Sequence, residues 1–328
     1  MHGPQSLLAR QRGVAVVTAM LLTTLAISIV ASLFWQQQVQ VRSMENQRLQ
    51  SQTKWIQRGA LDWASVILRV NNNSNYTSLD QVWATPLADT RLDQYIERER
   101  VQGENFNASL SGQVLDATAR YNLNNLAKGG KVELTQVEVM RSLLTNLRLE
   151  ARLARPIADF VAAGQQLAAV PERDDTGTTA VAQPRRSGAP MRLERVDDLL
   201  MVPGLKPEAV ERLRPFVIVL PSSDTNVNVN TASPEVLAAV LPGSSLSEAN
   251  TLIAQRQRAP WLDVANFKLT WKGGQADIEP KIATKSTYFL VQSRIRLDRA
   301  ALDAESLVLV GGNLVNPNSV TVVWTRQN

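Results

Sequence analysis

From Val14 to Trp35 the chain is apolar or small at every position and carries no charge. As a helix these 22 residues would span roughly 33 Å, the depth of a hydrocarbon core. That is too long for the apolar segment of a cleaved secretory signal, about 7 to 15 residues. Arg10 and Arg12 precede the run with no acid among the first thirteen residues, so the positive-inside rule places the N-terminus in the cytoplasm and the rest of the chain outside. Residues 36–70 contain no proline and only Gly59 as a weak interruption, which predicts one continuous rod from 14 to about 70. Within it Ile56, Ala60, Trp63 and Ile67 recur at i, i+4, i+7 and i+11, a stripe fit to bury against a globular body. The sequence NNNSN at 71–75 stops the rod.

Beyond it the period shifts. Residues 78–87 and 106–127 hold short alternating runs with Gly112 and a cluster of asparagines, predicting one or two strands and a polar turn. Helical spacing takes over from Thr135 to Leu167, broken by Pro156. Residues 171–190 have no period and are rich in Pro, Gly and Thr, so they predict a mobile loop. Two stretches, 193–221 and 227–269, each read as helix, VPG or LPG turn, helix, forming a weak internal repeat. Ser233, Pro234 and Glu235 supply a hydroxyl cap, a first-position proline and a first-turn acid. From Thr287 the period becomes two: Phe289, Val291, Ile295 and Leu297 alternate with Gln292, Arg294 and Arg296, a strand with one wet face. Two further strands, SLVLVGGN and SVTVVWTR, follow around a turn at 316–319. Strand, helical block, then strands predicts an α+β protein whose helical part is inserted into one antiparallel sheet.

Composition narrows the chemistry. Among 328 residues there is no cysteine and one histidine, His2. Thiol nucleophiles, disulfides, zinc thiolates and Ser-His-Asp catalysis are therefore excluded from the body of the protein, and no enzymatic role is expected. An Asp175-Thr176-Gly177 tripeptide matches aspartic proteases, but those enzymes need two rigid aspartates sharing a proton, and this one lies alone in the aperiodic loop.

The basic leader ending in Gly13, the uncharged helix from Val14 and its amphipathic extension resemble the class III signal of type IV pilins and type II secretion pseudopilins. In that family a membrane prepilin peptidase cuts after the glycine and methylates the new N-terminus. The resemblance implies processing between Gly13 and Val14 with the anchor retained; on these residues alone an ordinary single-pass anchor remains the alternative. Most pilins carry glutamate at the fifth mature position, where it offsets the amino terminus of the subunit above; here that position is Thr18. The residues 227–232, with their Asn-Val-Asn-Thr-Ala, also resemble the helix-hairpin-helix module of competence DNA receptors, which raises a membrane-anchored DNA-binding protein as the rival function. That module holds phosphate on amides of a Gly-x-Gly turn. Neither Gly204-Leu205-Lys206-Pro207 nor Gly243-Ser244-Ser245 has the second glycine, and residues 191–270 hold eight basic against nine acidic residues, the wrong field for a phosphate ligand. No nucleic-acid partner is expected.

Arg12-Gly13-Val14 with Thr18, Tyr121-Asn122-Leu123-Asn124 with Leu126, and Asn228-Val229-Asn230-Thr231-Ala232, found in this order, resemble the minor pseudopilin K family over essentially the whole chain. The resemblance implies a pseudopilin fold: a long N-terminal α-helix packed on an antiparallel sheet, with a large all-α insert of helix-hairpin-helix-like units. It implies these divisions: 1–13 cleaved leader, 14–35 membrane span, 36–70 periplasmic rod, 71–127 first part of the sheet domain, 128–285 helical insert, 286–328 closing strands. It further implies a non-enzymatic tip subunit in the bacterial inner membrane, single-pass, with its bulk in the periplasm. That subunit would form a cap with minor pseudopilins I and J, meet other pseudopilins, and help start the filament. Its insert would make the tip too wide for the pore or touch cargo or secretin. No cofactor is required; calcium is the ion the family implies, with Asp298, Asp303 and Glu305 the weak candidates for it against the reading of an exposed acidic turn.

Overall fold

The computed structural model describes residues 12–92, 108–166, 191–271, 281–312, 316 and 318–327. The leader up to Gln11 and the expected loop at 171–190, with Asp175, lie outside the described residues. The rod is a single helix, α1 (Arg12–Asn71), 60 residues long, or about 90 Å. It ends where the asparagine run begins, with Asn72 N–H closing on Leu68 O at 2.9 Å.

Five strands form one antiparallel sheet: β1 (Leu87–Arg91), β2 (Ala108–Asp116), β9 (Tyr288–Leu297), β10 (Ala300–Val310) and β11 (Val320–Gln327), in the spatial order in which they occur in the chain. The central strand β9 pairs with β2 on one side and β10 on the other, so everything between Asp116 and Tyr288 is an insertion between two sheet neighbours. Gly112 is required at that pairing: a Cβ there would lie 2.4 Å from Gln292 O.

The insert contains β3 (Tyr121–Asn122), β4 (Ala127–Lys128), β5 (Lys131–Val132), α2 (Leu134–Asn146), α3 (Ala154–Gln166), α4 (Pro207–Leu213), β6 (Val217–Ile218), β7 (Val227–Asn228), α5 (Pro234–Val240), α6 (Leu246–Arg256), α7 (Val264–Thr270) and β8 (Ile282–Ala283). β3 runs parallel to β6 and β7 parallel to β8, so each of two successive helical units starts and closes on a short parallel pair. One continuous apolar core, including Leu123, Met140, Leu144, Ile157, Leu213, Leu237 and Phe267, fills the insert.

Several sequence expectations are corrected. Tyr121, Leu123 and Leu126 belong to the core of the insert rather than to the sheet, so the division falls just after Asp116 and not at 127. The helical break lies at 147–153, not at Pro156. There Arg148 adopts φ +56° and α2 closes with Leu149 N–H on Leu144 O and Arg148 N–H on Thr145 O, a Schellman ending made without glycine. Pro156 sits in the first turn of α3, where its missing N–H is no loss. In the first hairpin a 3-10 segment, Val196–Met201, stands where a helix was expected. Finally, β9 is not wet along one whole face. Tyr288 and Leu290 are buried with Ile218, Leu220 and Leu307 beneath the insert, and only the other half of the strand keeps exposed Arg294 and Arg296.

On the opposite face of the sheet, α1 covers Phe289, Val291, Val308 and Val310 with Ala64 and Leu68, and Trp83 seals the top. Trp83 meets Phe289 edge-on at 5.3 Å and donates to Gln81 Oε1 at 3.0 Å. Full burial of a side chain the size of Leu68 contributes about 1.5–3 kcal/mol.

Candidate assembly surface

The membrane half of α1 is not buried by any of the described residues. Its best 18-residue window has mean hydropathy 2.4 and none of it is buried, so the helix is long and apolar enough to cross a bilayer once. There is no acid in its first turn. The Thr18 hydroxyl reaches back to Val14 O and Ala15 O, both at 3.0 Å, the local bond by which a hydroxyl is satisfied inside an apolar helix. Gly13 lies in the helical backbone and Val14 is exposed.

The upper half of α1 has two faces. Thr53, Gln57, Ala60, Ala64 and Leu68 are buried on the sheet, spaced i, i+4, i+7, i+11 and i+15. Of the expected stripe, Ala60 is in this seam, Ile56 and Ile67 are half-buried at its margin, and Trp63 is 51% exposed. The seam is therefore turned by one residue. Small Ala60 and Ala64 let the rod lie close on the strands, whereas an indole at 63 would hold it away. The opposite side of α1 carries Trp55 (69% exposed), Trp63, Val66 and Val70, with Gly59 at the centre of the patch. A Cβ at Gly59 would meet nothing within 4 Å. Glycine in a helix interior costs roughly 0.5–1 kcal/mol relative to alanine, and no contact among the described residues offsets it.

The asparagine motifs join the insert to the sheet. Asp116, at the end of β2 and 5% exposed, accepts from Thr118 N at 2.8 Å and its hydroxyl at 2.7 Å, from Asn228 Nδ2 at 3.0 Å, and from the hydroxyls of Thr231 and Ser286 at 2.5 Å. Asn228 Nδ2 also reaches Thr77 O at 3.0 Å. Asn230 brackets Trp261, accepting its N–H and donating to its carbonyl, each at 2.9 Å. In the first unit Asn122 accepts from Leu220 N at 3.0 Å and Asn125 accepts from Thr225 N at 3.1 Å. The two motifs thus do the same work: Asn122 takes the N–H of Asn124 and Asn228 takes that of Asn230, turning the chain out of a strand. Asp116 was missed by sequence reasoning; its only signal was an acid ending an apolar strand before Thr118.

Gly204 (φ +87°) and Gly243 (φ +72°) turn the two hairpins. At the second, Ser245 and Glu248 form a capping box: Ser245 N–H donates to Glu248 Oε2 at 2.7 Å and Glu248 N–H to Ser245 Oγ at 3.2 Å. Those bonds hold the Glu248 carboxyl below the usual range. The chain's own carboxylate occupies the anion seat where the helix-hairpin-helix module would hold phosphate.

The three calcium candidates lie on β10 or in the turn before it. Asp303 pairs with Arg294 across β9 and β10 at 2.8 Å, Glu305 accepts from Gln292 at 3.0 Å, and Asp298 lies in the turn between the two strands with φ +51°. Asp303 and Glu305 line a polar depression of about 390 Å³ on the sheet, already bonded to neighbours. Among the described residues no three His, Cys, Asp or Glu side chains are grouped to hold a metal ion.

A membrane-length helix that continues into a sheet-packing rod, with a helical unit let into the sheet, is the architecture of a pseudopilin. Family profiles described as type II secretion system (T2SS), protein K, match residues 119–222 and 227–291, one on each helical unit. The chain belongs to the type II secretion system protein K family. It is 26% identical over 326 residues to type II secretion system protein K of Pectobacterium carotovorum, covering 94% of this chain and 95% of that protein. With the Pseudomonas aeruginosa protein of the same name it shares 28% over 303 residues, 88% and 85% of the two chains. In fold it is similar to a chain in the crystal structure of the GspK-GspI-GspJ complex from the enterotoxigenic Escherichia coli type 2 secretion system. The TM-score is 0.62 at 20% identity, covering 87% of this chain and 99% of that one.

Proposed function

We propose that this protein is the tip subunit of the type II secretion pseudopilus, held in the inner membrane by α1 and joined to minor pseudopilins I and J to start and cap the filament that exports folded proteins. Prepilin peptidase cuts between Gly13 and Val14 and methylates Val14, and the anchor stays with its N-terminus on the cytoplasmic side. The observation that carries the position is Thr18. A buried amino terminus needs a neighbouring carboxylate to offset several kcal/mol of desolvation, and a hydroxyl bonded to its own helix supplies none. A subunit without that acid has no subunit resting on it. The insert, larger than the rest of the soluble body, then faces outward and widens the tip. Labelling a tag on the insert in sheared pseudopili tests this: label at filament ends is expected, and label along the shaft overturns it.

A further inference from the structure

We infer that Gly59 is a hinge in α1: the rod is fixed to the sheet above it and only tethered below it, so the anchor can change its angle to the soluble body. The inference needs α1 to span a membrane and does not depend on the tip position. The two sides of Gly59 pack differently. Above it Ala60, Ala64 and Leu68 are buried, and the last two enter the apolar cluster with Trp83, Phe289 and Val308. Below it the only buried side chains of α1 among the described residues are Thr53 and Gln57, both polar. The Thr53 hydroxyl turns back on its own helix, to Leu49 O and Gln50 O at 3.1 and 2.9 Å. Gln57 accepts from Gln327 at 3.3 Å, while its own amide nitrogen is buried without a hydrogen-bond partner. On this part of the sheet the face toward α1 carries Ser293 and Ser306. Ile295 and Leu297, buried farther down the same strand, lie outside the cluster that α1 shares.

Gly59 marks the boundary between the two regimes. Its missing Cβ would meet only open space, so packing does not select glycine there, and glycine weakens the helix where bending is least opposed. The lower rod is tethered at its far end by Arg299, in the turn between β9 and β10, which donates to Glu45 Oε2 at 2.9 Å and Asn46 Oδ1 at 3.1 Å. Such an exposed pair holds weakly. Glu45 lies roughly 21 Å below Gly59 along the axis, so a bend of about 20° moves it by roughly 7 Å. That breaks the tether, hydrates the Gln57 amide and leaves the apolar seam intact. The hinge lets the sheet and insert turn relative to the membrane without unpacking.

The chain has no cysteine, so pairs of spin labels can be placed on the full-length protein in lipid nanodiscs and their separation read by pulsed electron paramagnetic resonance. Met44→Cys with Ala301→Cys reports the lower rod, and Val66→Cys with Thr321→Cys the upper seam; all four positions are exposed. The lower pair should give a distance distribution about twice as wide as the upper pair, extending roughly 7 Å to longer distances. Gly59→Ala should narrow the lower distribution about twofold and leave the upper one unchanged. Arg299→Ala should move the lower distribution toward its long end. A lower pair as narrow as the upper one, or one that either substitution leaves unmoved, overturns the hinge.

Discussion

The helical insert and the sheet are stabilised in different ways. The insert has a single core in which helices from both units bury against one another, and its polar interior is closed by asparagine side chains bonded to backbone. The sheet has two small apolar clusters, one on each face. Each is completed from outside: α1 and Trp83 cover one, and Ile218 and Leu220 of the insert cover the other. A five-stranded sheet of this kind cannot keep both faces dry alone. The insert is therefore a structural lid on the sheet as well as a head, and the Asp116–Asn228 junction keeps it in register.

Breaking either side should show that asymmetry. The largest effect is expected from Trp83→Ala, which removes the cap over Phe289 and should cost about 3–5 kcal/mol, read by chemical denaturation in detergent. Loss should appear first in hydrogen exchange of β9 and β10, with the insert still protected. Asn228→Ala comes next. It leaves buried Thr77 O short of a donor, at about 1–3 kcal/mol, takes one of five donors from Asp116, and should separate the unfolding of insert and sheet into two transitions. The seam on α1 gives a sharper contrast between adjacent residues: Ala64→Phe should overpack the sheet and cost about 1–3 kcal/mol. Trp63→Ser, one position along, should change stability by less than about 0.5 kcal/mol. The smallest effect concerns pH. Arg214 donates to Asp197 and Glu211 at 2.5 and 2.7 Å and holds both carboxyls below their usual range. Their contribution is present above the unfolded carboxylate pKa and is lost as pH falls through the lowered folded values. Arg214→Gln should therefore reduce only the acid sensitivity below about pH 4, and only slightly because all three groups are exposed.

The rod, the insertion between two sheet neighbours and the Ser233 cap of α5 were legible because each rests on a local signal: an uncharged run, a change of period, a hydroxyl before proline. What the sequence hid depends on neighbours distant in the chain. The face of α1 that packs could not be chosen by hydrophobicity, since Trp63 is more apolar than Gln57, yet a flat sheet takes small side chains in close approach. The dry half of β9 follows from Leu220, nearly seventy positions earlier. Tyr121-Asn122-Leu123-Asn124 and Asn228-Val229-Asn230 could be seen as motifs, but not that their amides close the roots of two equivalent units.

The central claim is that α1 is an anchor trimmed and then kept, its bare length free for neighbours. The most direct test is the intact mass of protein extracted from membranes of cells carrying prepilin peptidase. The account predicts a single species beginning at N-methylated Val14. A mature protein still beginning at Met1, or one cut beyond Trp35, would contradict it.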